Sequence, residues 1–262
     1  MAAAFYKAGG GEGEFVATAL TRGPWDPGAQ HAGPPAALLG RAIEGLAESE
    51  RFQIARLTFE ILRSVPIGPV AVTSRVLRPG RRVRLVEAEL RAGGEPLMRA
   101  AAWQIEIAAV EVPAEALVRT PPPPPPEAGA AGDFFPGAAD EGYHTAMELS
   151  FASGRFMEIG PATAWLRMKV PLLEGEEPSP LQRTLVAADV GNGISAALDF
   201  REFVFVNVEL TVHLERIPAG EWICVDAVTL PQPTGVATAE SVLFDTEGRI
   251  GRAAQSLIVS RR

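Results

Sequence analysis

Gly33-Pro-Pro-Ala-Ala-Leu-Leu-Gly-Arg-Ala-Ile-Glu44 and Ser179-Pro-Leu-Gln-Arg-Thr-Leu-Val-Ala-Ala-Asp-Val190 align without a gap, setting Pro34 on Pro180 and Leu39 on Leu185. Proline near the first turn marks a helix start in both, because its missing N–H would be unpaired there anyway and its fixed φ suits a helix. Leu181, Leu185 and Ala188 recur at helical spacing and mark the buried face, with Asp189 at its edge. A carboxylate on that stripe is the first anomaly. Gly191-Asn-Gly193 behind it reads as a helix stop with Gly or Asn in the left-handed conformation.

Strand-like segments follow each helix. Ala55-Arg-Leu-Thr-Phe-Glu-Ile-Leu62 and the run from Phe203 to Leu214 are β-rich, and they run into the turns Val65-Pro-Ile-Gly68 and Ile217-Pro-Ala-Gly220. On the second run Val204, Val206, Val208, Leu210, Val212 and Leu214 alternate as one apolar face, which places Asn207 on the other; a β-bulge, or a site on the side between the two halves, would reconcile that facing with a role for Asn207. Segments 70–77, 83–91 and 97–107 then mirror 222–230, 236–244 and 249–259, with hairpin turns at Gly93-Gly94 and Glu247-Gly248. A further strand precedes each helix, over 14–21 and 165–170. Each half therefore predicts a strand, one long helix and a curved antiparallel sheet wrapping it, an α+β arrangement repeated in tandem.

Between the halves lies Thr120-Pro-Pro-Pro-Pro-Pro-Pro-Glu127, followed by Ala128-Gly-Ala-Ala-Gly-Asp133. Such a run forms neither helix nor central strand and predicts a stiff polyproline II spacer. The expected division is 1–119, a linker over 120–140, and 141–262.

Composition narrows the function. The chain has 262 residues, 47% hydrophobic and 21% charged, enough for a sizeable core. A net charge of −8 argues against non-specific nucleic-acid binding, and Arg78-Pro-Gly-Arg-Arg-Val-Arg84 reads as a solvated hairpin tip. The single Cys224 excludes an intrachain disulfide and a cysteine metal cluster, and fits a reducing, cytoplasmic setting; His31, His144 and His213 form no ligand pair. No run approaches the roughly 20 apolar residues of a membrane span, and the N-terminal residues lack a secretory h-region. Trp103, Trp165 and Trp222 fall in strand segments and read as core or interface.

The repeat, the Pro-led helices and the Asp-x-Gly-x-Gly-like ending of the second one resemble the double-hotdog acyl-CoA thioesterases of the thioesterase II (TesB-like) family, over roughly Phe15–Ile107 and Tyr143–Val259. The resemblance implies a tandem hotdog fold and hydrolysis of fatty acyl-CoA without a cofactor. It carries the family's catalytic aspartate onto Asp189 and its glutamine, in the final strand, onto Gln255. Its third polar residue, a hydroxyl in the family, falls on Asn207 when one gap is allowed before Glu221-Trp222.

The repeat tests these positions from within. Asp189 corresponds to Ile43, and Gln255, in Arg252-Ala-Ala-Gln255, corresponds to Ala102 in Arg99-Ala-Ala-Ala102. The fold alone is thus content with a hydrocarbon at both, and an unpaired buried carboxylate is costly. No Gly-x-Ser-x-Gly elbow supplies a nucleophile. The expected mechanism has Asp189 as general base on a water held by Gln255 and Asn207, and needs no metal. The first helix, entered through Gln30-His-Ala-Gly-Pro34, would offer backbone N–H groups to the thioester carbonyl, Gly33 would permit its approach, and His31 would touch substrate. Competing readings are a structural salt bridge at Asp189 within a non-catalytic acyl-binding or assembly-forming hotdog, and a proline-rich interaction protein. A homo-oligomer is expected from exposed sheet edges.

Overall fold

The structure is a computed structural model that describes residues 3–46, 51–132 and 140–262. In chain order its elements are β1 (Tyr6–Ala8), β2 (Glu14–Ala17), α1 (Gly33–Glu44), β3 (Phe52–Ile61), β4 (Pro69–Arg78), β5 (Val83–Ala92), β6 (Glu95–Glu106), β7 (Ala130–Ala131), α2 (Tyr143–Ala146), β8 (Met147–Ser153), β9 (Ala162–Met168), α3 (Pro180–Ala188), α4 (Gly191–Ile194), β10 (Phe203–Asn207), β11 (Glu209–Leu214), β12 (Ile223–Pro231), β13 (Val236–Asp245) and β14 (Gly248–Arg261).

All strands share one sheet in the order β1-β2-β4-β5-β6-β3-β11-β14-β13-β12-β9-β8-β7, with β10 also paired to β14. The order reads the same from either end, β2-β4-β5-β6-β3 meeting β9-β12-β13-β14-β11. The halves join where β3 and β11 pair antiparallel. In the register that sets Arg99 on Arg252, Thr58 falls on Thr211, and these two residues pair directly, hydroxyl oxygens 3.5 Å apart. The pseudo-twofold axis of the duplication therefore passes between two threonines. The fold is a double hotdog: two helices lie side by side under one long curved sheet, and their apolar faces (Leu38, Leu39 and Ile43; Leu181, Leu185 and Val186) enter one core with Leu57, Phe59, Leu210 and Val212.

The helices touch closely because two positions lack a Cβ. A methyl at Gly33 would lie 2.6 Å from the Val186 carbonyl oxygen, and one at Gly40 would lie 2.4 Å from Leu185 Cδ1.

Three expectations are corrected. The leading strand of the first half stops at Ala17, because the Thr18 hydroxyl accepts from Leu20 N–H and starts a 3-10 turn over Ala19–Thr21; in the second half β9 spans Ala162–Met168 and an unforeseen β8 precedes it. Gly191-Asn-Gly193 is no left-handed stop, since these residues open the short α4 and none has positive φ. Glycine is needed there for space: a Cβ on Gly191 would meet Ser241 Oγ at 2.7 Å. The proline run, as far as Gly132, is docked rather than free, while 133–139 of the expected linker lie outside the described residues. Trp165 Nε1–H donates to the Pro124 carbonyl at 2.7 Å, Ser150 Oγ donates to the Pro126 carbonyl at 2.6 Å, and β7 adds to β8. A buried indole with its N–H aimed at a polyproline carbonyl is how aromatic grooves hold such segments elsewhere, here within one chain. The sheet ends in the short strands β1 and β7, an arrangement that discourages edge-to-edge pairing.

Candidate active site

Asp189 directly follows α3 as its C-cap and is only 4% exposed. It lies against the start of α1, so an acid from one half meets the N-terminal helix end of the other. The Ala32 and Gly33 N–H groups at the positive end of α1 face its carboxylate and favour its charged form. Oδ1 accepts from Asn207 Nδ2 at 2.9 Å and from Gln255 Nε2 at 3.0 Å. The Gln255 amide also donates to the Asp189 carbonyl at 3.1 Å, and its Oε1 accepts from Asn192 N–H at 3.2 Å, which ties α4 to β14. Oδ2 faces His31, with Nδ1 3.1 Å away.

Gln255 and Asn207 thus fix the carboxylate itself. On the Oδ1 side both amides bond the carboxylate directly.

Asn207 reaches this place through a break in the strand. β10 ends at Asn207, β11 starts at Glu209, and Val208 between them donates its N–H to the Ser256 carbonyl while its own carbonyl accepts from Ile61 N–H. The irregularity inverts the facing: Phe205 is buried beside Asn207, whereas Val206 and Val208 point to solvent. The single apolar face expected from Val204 to Leu214 is therefore wrong for its first half and right from Leu210 onward. The same shift occurs in the first repeat between Ile54 and Arg56, where Ile54 pairs with Gln104 as Asn207 pairs with Leu257. The duplicated fold carries a bulge at this point, and an aliphatic residue fills the equivalent position.

His31 stacks on Tyr143, ring centroids 3.9 Å apart and planes 5° apart. The Gly33 N–H donates to His31 Nδ1 at 3.1 Å. Burial lowers the imidazole to about 3 and raises the Asp189 carboxyl to about 7, the bonds from Asn207, Gln255, Gly33 and Ala32 opposing only part of the rise. Both groups are pushed toward neutrality. The Gly33 N–H is already engaged here, and the close approach its missing Cβ allows is to Val186.

These groups form one wall of a cavity of about 800 Å³ reached from both halves. His31, Asp189, Asn192 and Asn207 give it a polar end, and Trp25, Phe156, Phe200, Phe205, Val65 and Met98 give it apolar sides. Arg22 and His144 also line it. Sequence reasoning missed Tyr143 and the aromatic group of Trp25, Phe200 and Phe205, whose rings meet at 4.6–5.8 Å; only the aromatic content of 200–205 hinted at the latter.

The other pole of the helix pair shows what the fold does without such a cavity wall. Glu44, at the end of α1, accepts from Ser179 Oγ at 2.8 Å and Gln182 Nε2 at 3.2 Å at the start of α3. An acid meets the start of the neighbouring helix at each pole, but only Asp189 has Asn207, Gln255 and His31 around it. Among the described residues no three His, Cys, Asp or Glu side chains are grouped to hold a metal ion, and no helix is long and apolar enough to cross a membrane.

Residues 21–105 match the family model for the acyl-CoA thioesterase N-terminal domain, and residues 118–259 match that for the C-terminal domain. No curated protein matches the chain. Among solved structures, an acyl-CoA thioesterase II, TesB2, from Mycobacterium marinum superposes with a TM-score of 0.66 at 13% identity, covering 97% of this chain and 96% of its own. A hotdog-fold protein of unknown function from Alicyclobacillus acidocaldarius gives 0.73 at 14% identity, over 95% and 94% of the two chains. A candidate thioesterase II from Thermobifida fusca gives 0.75 at 19% identity, over 96% and 94%. At such identities the superpositions speak for the fold, and the two family models speak for the chemistry. With both of its halves matched in order, the chain belongs to the acyl-CoA thioesterase family and is a double-hotdog thioester hydrolase.

Proposed function

We propose that the chain hydrolyses fatty acyl-CoA thioesters to free acid and CoA, with Asp189 as general base. The observation that carries this reading is a buried carboxylate at the polar end of an apolar cavity, held by Asn207 and Gln255 and pushed up to about 7 by burial. A base poised near the working pH is the form general-base catalysis favours. The apolar sides suit an acyl chain, and the polar end suits the thioester.

In the proposed reaction a water loses a proton to Asp189 as its oxygen bonds to the thioester carbonyl carbon. The resulting tetrahedral oxyanion is stabilised by His31. Because Gly33 N–H occupies Nδ1, a neutral imidazole carries its proton on Nε2 and can donate it toward that oxygen. The C–S bond then breaks, the proton held by Asp189 passes to the departing sulfur, and acid and free thiol leave. Gln255 and Asn207 keep the carboxylate in one orientation throughout, and the missing Cβ of Gly33 lets the start of α1 lie against the last turn of α3.

A second reading, a hotdog that binds acyl groups without turning them over, takes support from the direct Gln255–Asp189 bond, which would pair the acid structurally. Release of free thiol from acyl-CoA substrates of graded chain length separates the two. Turnover that depends on Asp189 supports the hydrolytic reading; binding with no turnover on any chain length supports the other.

A further inference from the structure

We infer that Tyr143 is a positioning residue for this reaction, acting through His31. The inference rests on the proposed pairing of His31 with Asp189. Tyr143 begins α2, directly after the linker, and its backbone N–H donates to the Arg22 carbonyl at 3.0 Å. Its ring lies flat against the imidazole, at 3.9 Å between centroids and 5° between planes. Its hydroxyl donates to the Val186 carbonyl at 2.9 Å. That carbonyl oxygen is the atom a Cβ on Gly33 would strike. The tyrosine is therefore anchored at one end to Arg22, which bridges Gln30 ahead of α1, and at the other to the last turn of α3.

The consequence for His31 is geometric. An imidazole rotates about its Cβ–Cγ bond with little cost unless something bounds its faces. Tyr143 bounds one face, so Nδ1 stays directed at Asp189 Oδ2 and the Gly33 N–H while the ring borders the cavity. The aromatic face also keeps water from the dyad, and this dryness holds Asp189 toward its protonated form and His31 toward its neutral one. Besides Tyr143, the titratable and charged groups that share the cavity with the dyad are Arg22, Asp26 and His144. A flat ring is required for this role, whereas any apolar residue would fill the volume.

A double-mutant cycle in the full-length protein tests the inference, reading kcat, KM and the pH profile of acyl-CoA hydrolysis. Tyr143→Phe keeps the face and is expected to retain kcat within about threefold, the cost being the lost bond to Val186. Tyr143→Leu removes the face, and we expect kcat to fall about tenfold with KM nearly unchanged. Its activity limb should move down by about one pH unit as Asp189 becomes wetter. In a His31→Ala background the same Tyr143→Leu change should have almost no further effect, because the group it positions is gone. Tyr143→Met, which fills the space without a planar face, replaces Tyr143→Leu if that variant does not fold. Equal loss from the Tyr143 substitution with and without His31, or a loss with the pH limb unmoved, overturns the positioning role. Full turnover by His31→Ala alone is a different result, contradicting the role given to His31 itself.

Discussion

His31 Nδ1 and Asp189 Oδ2 face each other at 3.1 Å across the junction of the two hotdogs, one from the entry of α1 and the other from the end of α3. Neither half alone contains the pair. The duplication supplies two antiparallel helices, each ending in an acid that meets the start of the other, and a single pole has been elaborated with Asn207 and Gln255 around the acid.

The pH dependence comes first. With Asp189 raised to about 7 and His31 lowered to about 3, the base form grows in as pH rises through neutrality, so kcat/KM should rise along a limb centred near pH 7. The stability effect has the opposite sense. A carboxyl whose folded-state value exceeds its unfolded value binds its proton more tightly when folded, so its contribution to stability is lost as pH rises from about 4 toward 7. Urea midpoints of the protein and of Asp189→Asn between pH 4 and 8 check this: the slope due to Asp189 should be absent from the variant.

Removing Asn207 takes away a donor that lowers Asp189. Asn207→Ala should therefore move the activity limb to higher pH and lower kcat about tenfold at pH 7. Asn207→Ser, which restores a smaller donor, should recover part of the loss. A pH–rate series on the two variants decides it.

The fold was legible because its signals are local and repeated. The Pro-led helices around Leu39 and Leu185 announce themselves by apolar period, and the repeat then supplies its own control: Ile43 and Ala102 show what Asp189 and Gln255 would be if they only packed. The facing of Asn207 was not legible, because alternating valines on both sides of Val208 hide a bulge that the β3–β11 junction imposes. Tyr143 was equally silent. It follows a low-complexity linker, and nothing near it in sequence says that its ring will rest on His31. The docking of the prolines depends on Trp165, a partner that only the folded sheet brings near.

Gly33 and Gly40 should respond differently to alanine. The Cβ of Gly33→Ala would press on the Val186 backbone oxygen, which cannot turn away, and separating the helices should cost about 1–3 kcal/mol and lower activity by displacing the Ala32 and Gly33 N–H groups. Gly40→Ala meets the far end of the Leu185 side chain, which can change rotamer, and should cost less. Thermal unfolding of the two variants, with kcat measured on each, gives the comparison.

The proline strap belongs to stability rather than chemistry. Trp165→Phe keeps the ring but loses the bond to the Pro124 carbonyl, and should cost about 1 kcal/mol with kcat per folded molecule unchanged. Denaturant unfolding alongside an activity assay distinguishes this from a role of the strap in turnover.

The central claim is that Asp189 takes the proton from the attacking water. It is tested most directly by comparing kcat for acyl-CoA hydrolysis between the protein and Asp189→Asn, with both shown to be folded. The account predicts a loss of about a hundredfold or more. Turnover by Asp189→Asn at the parent rate would contradict it.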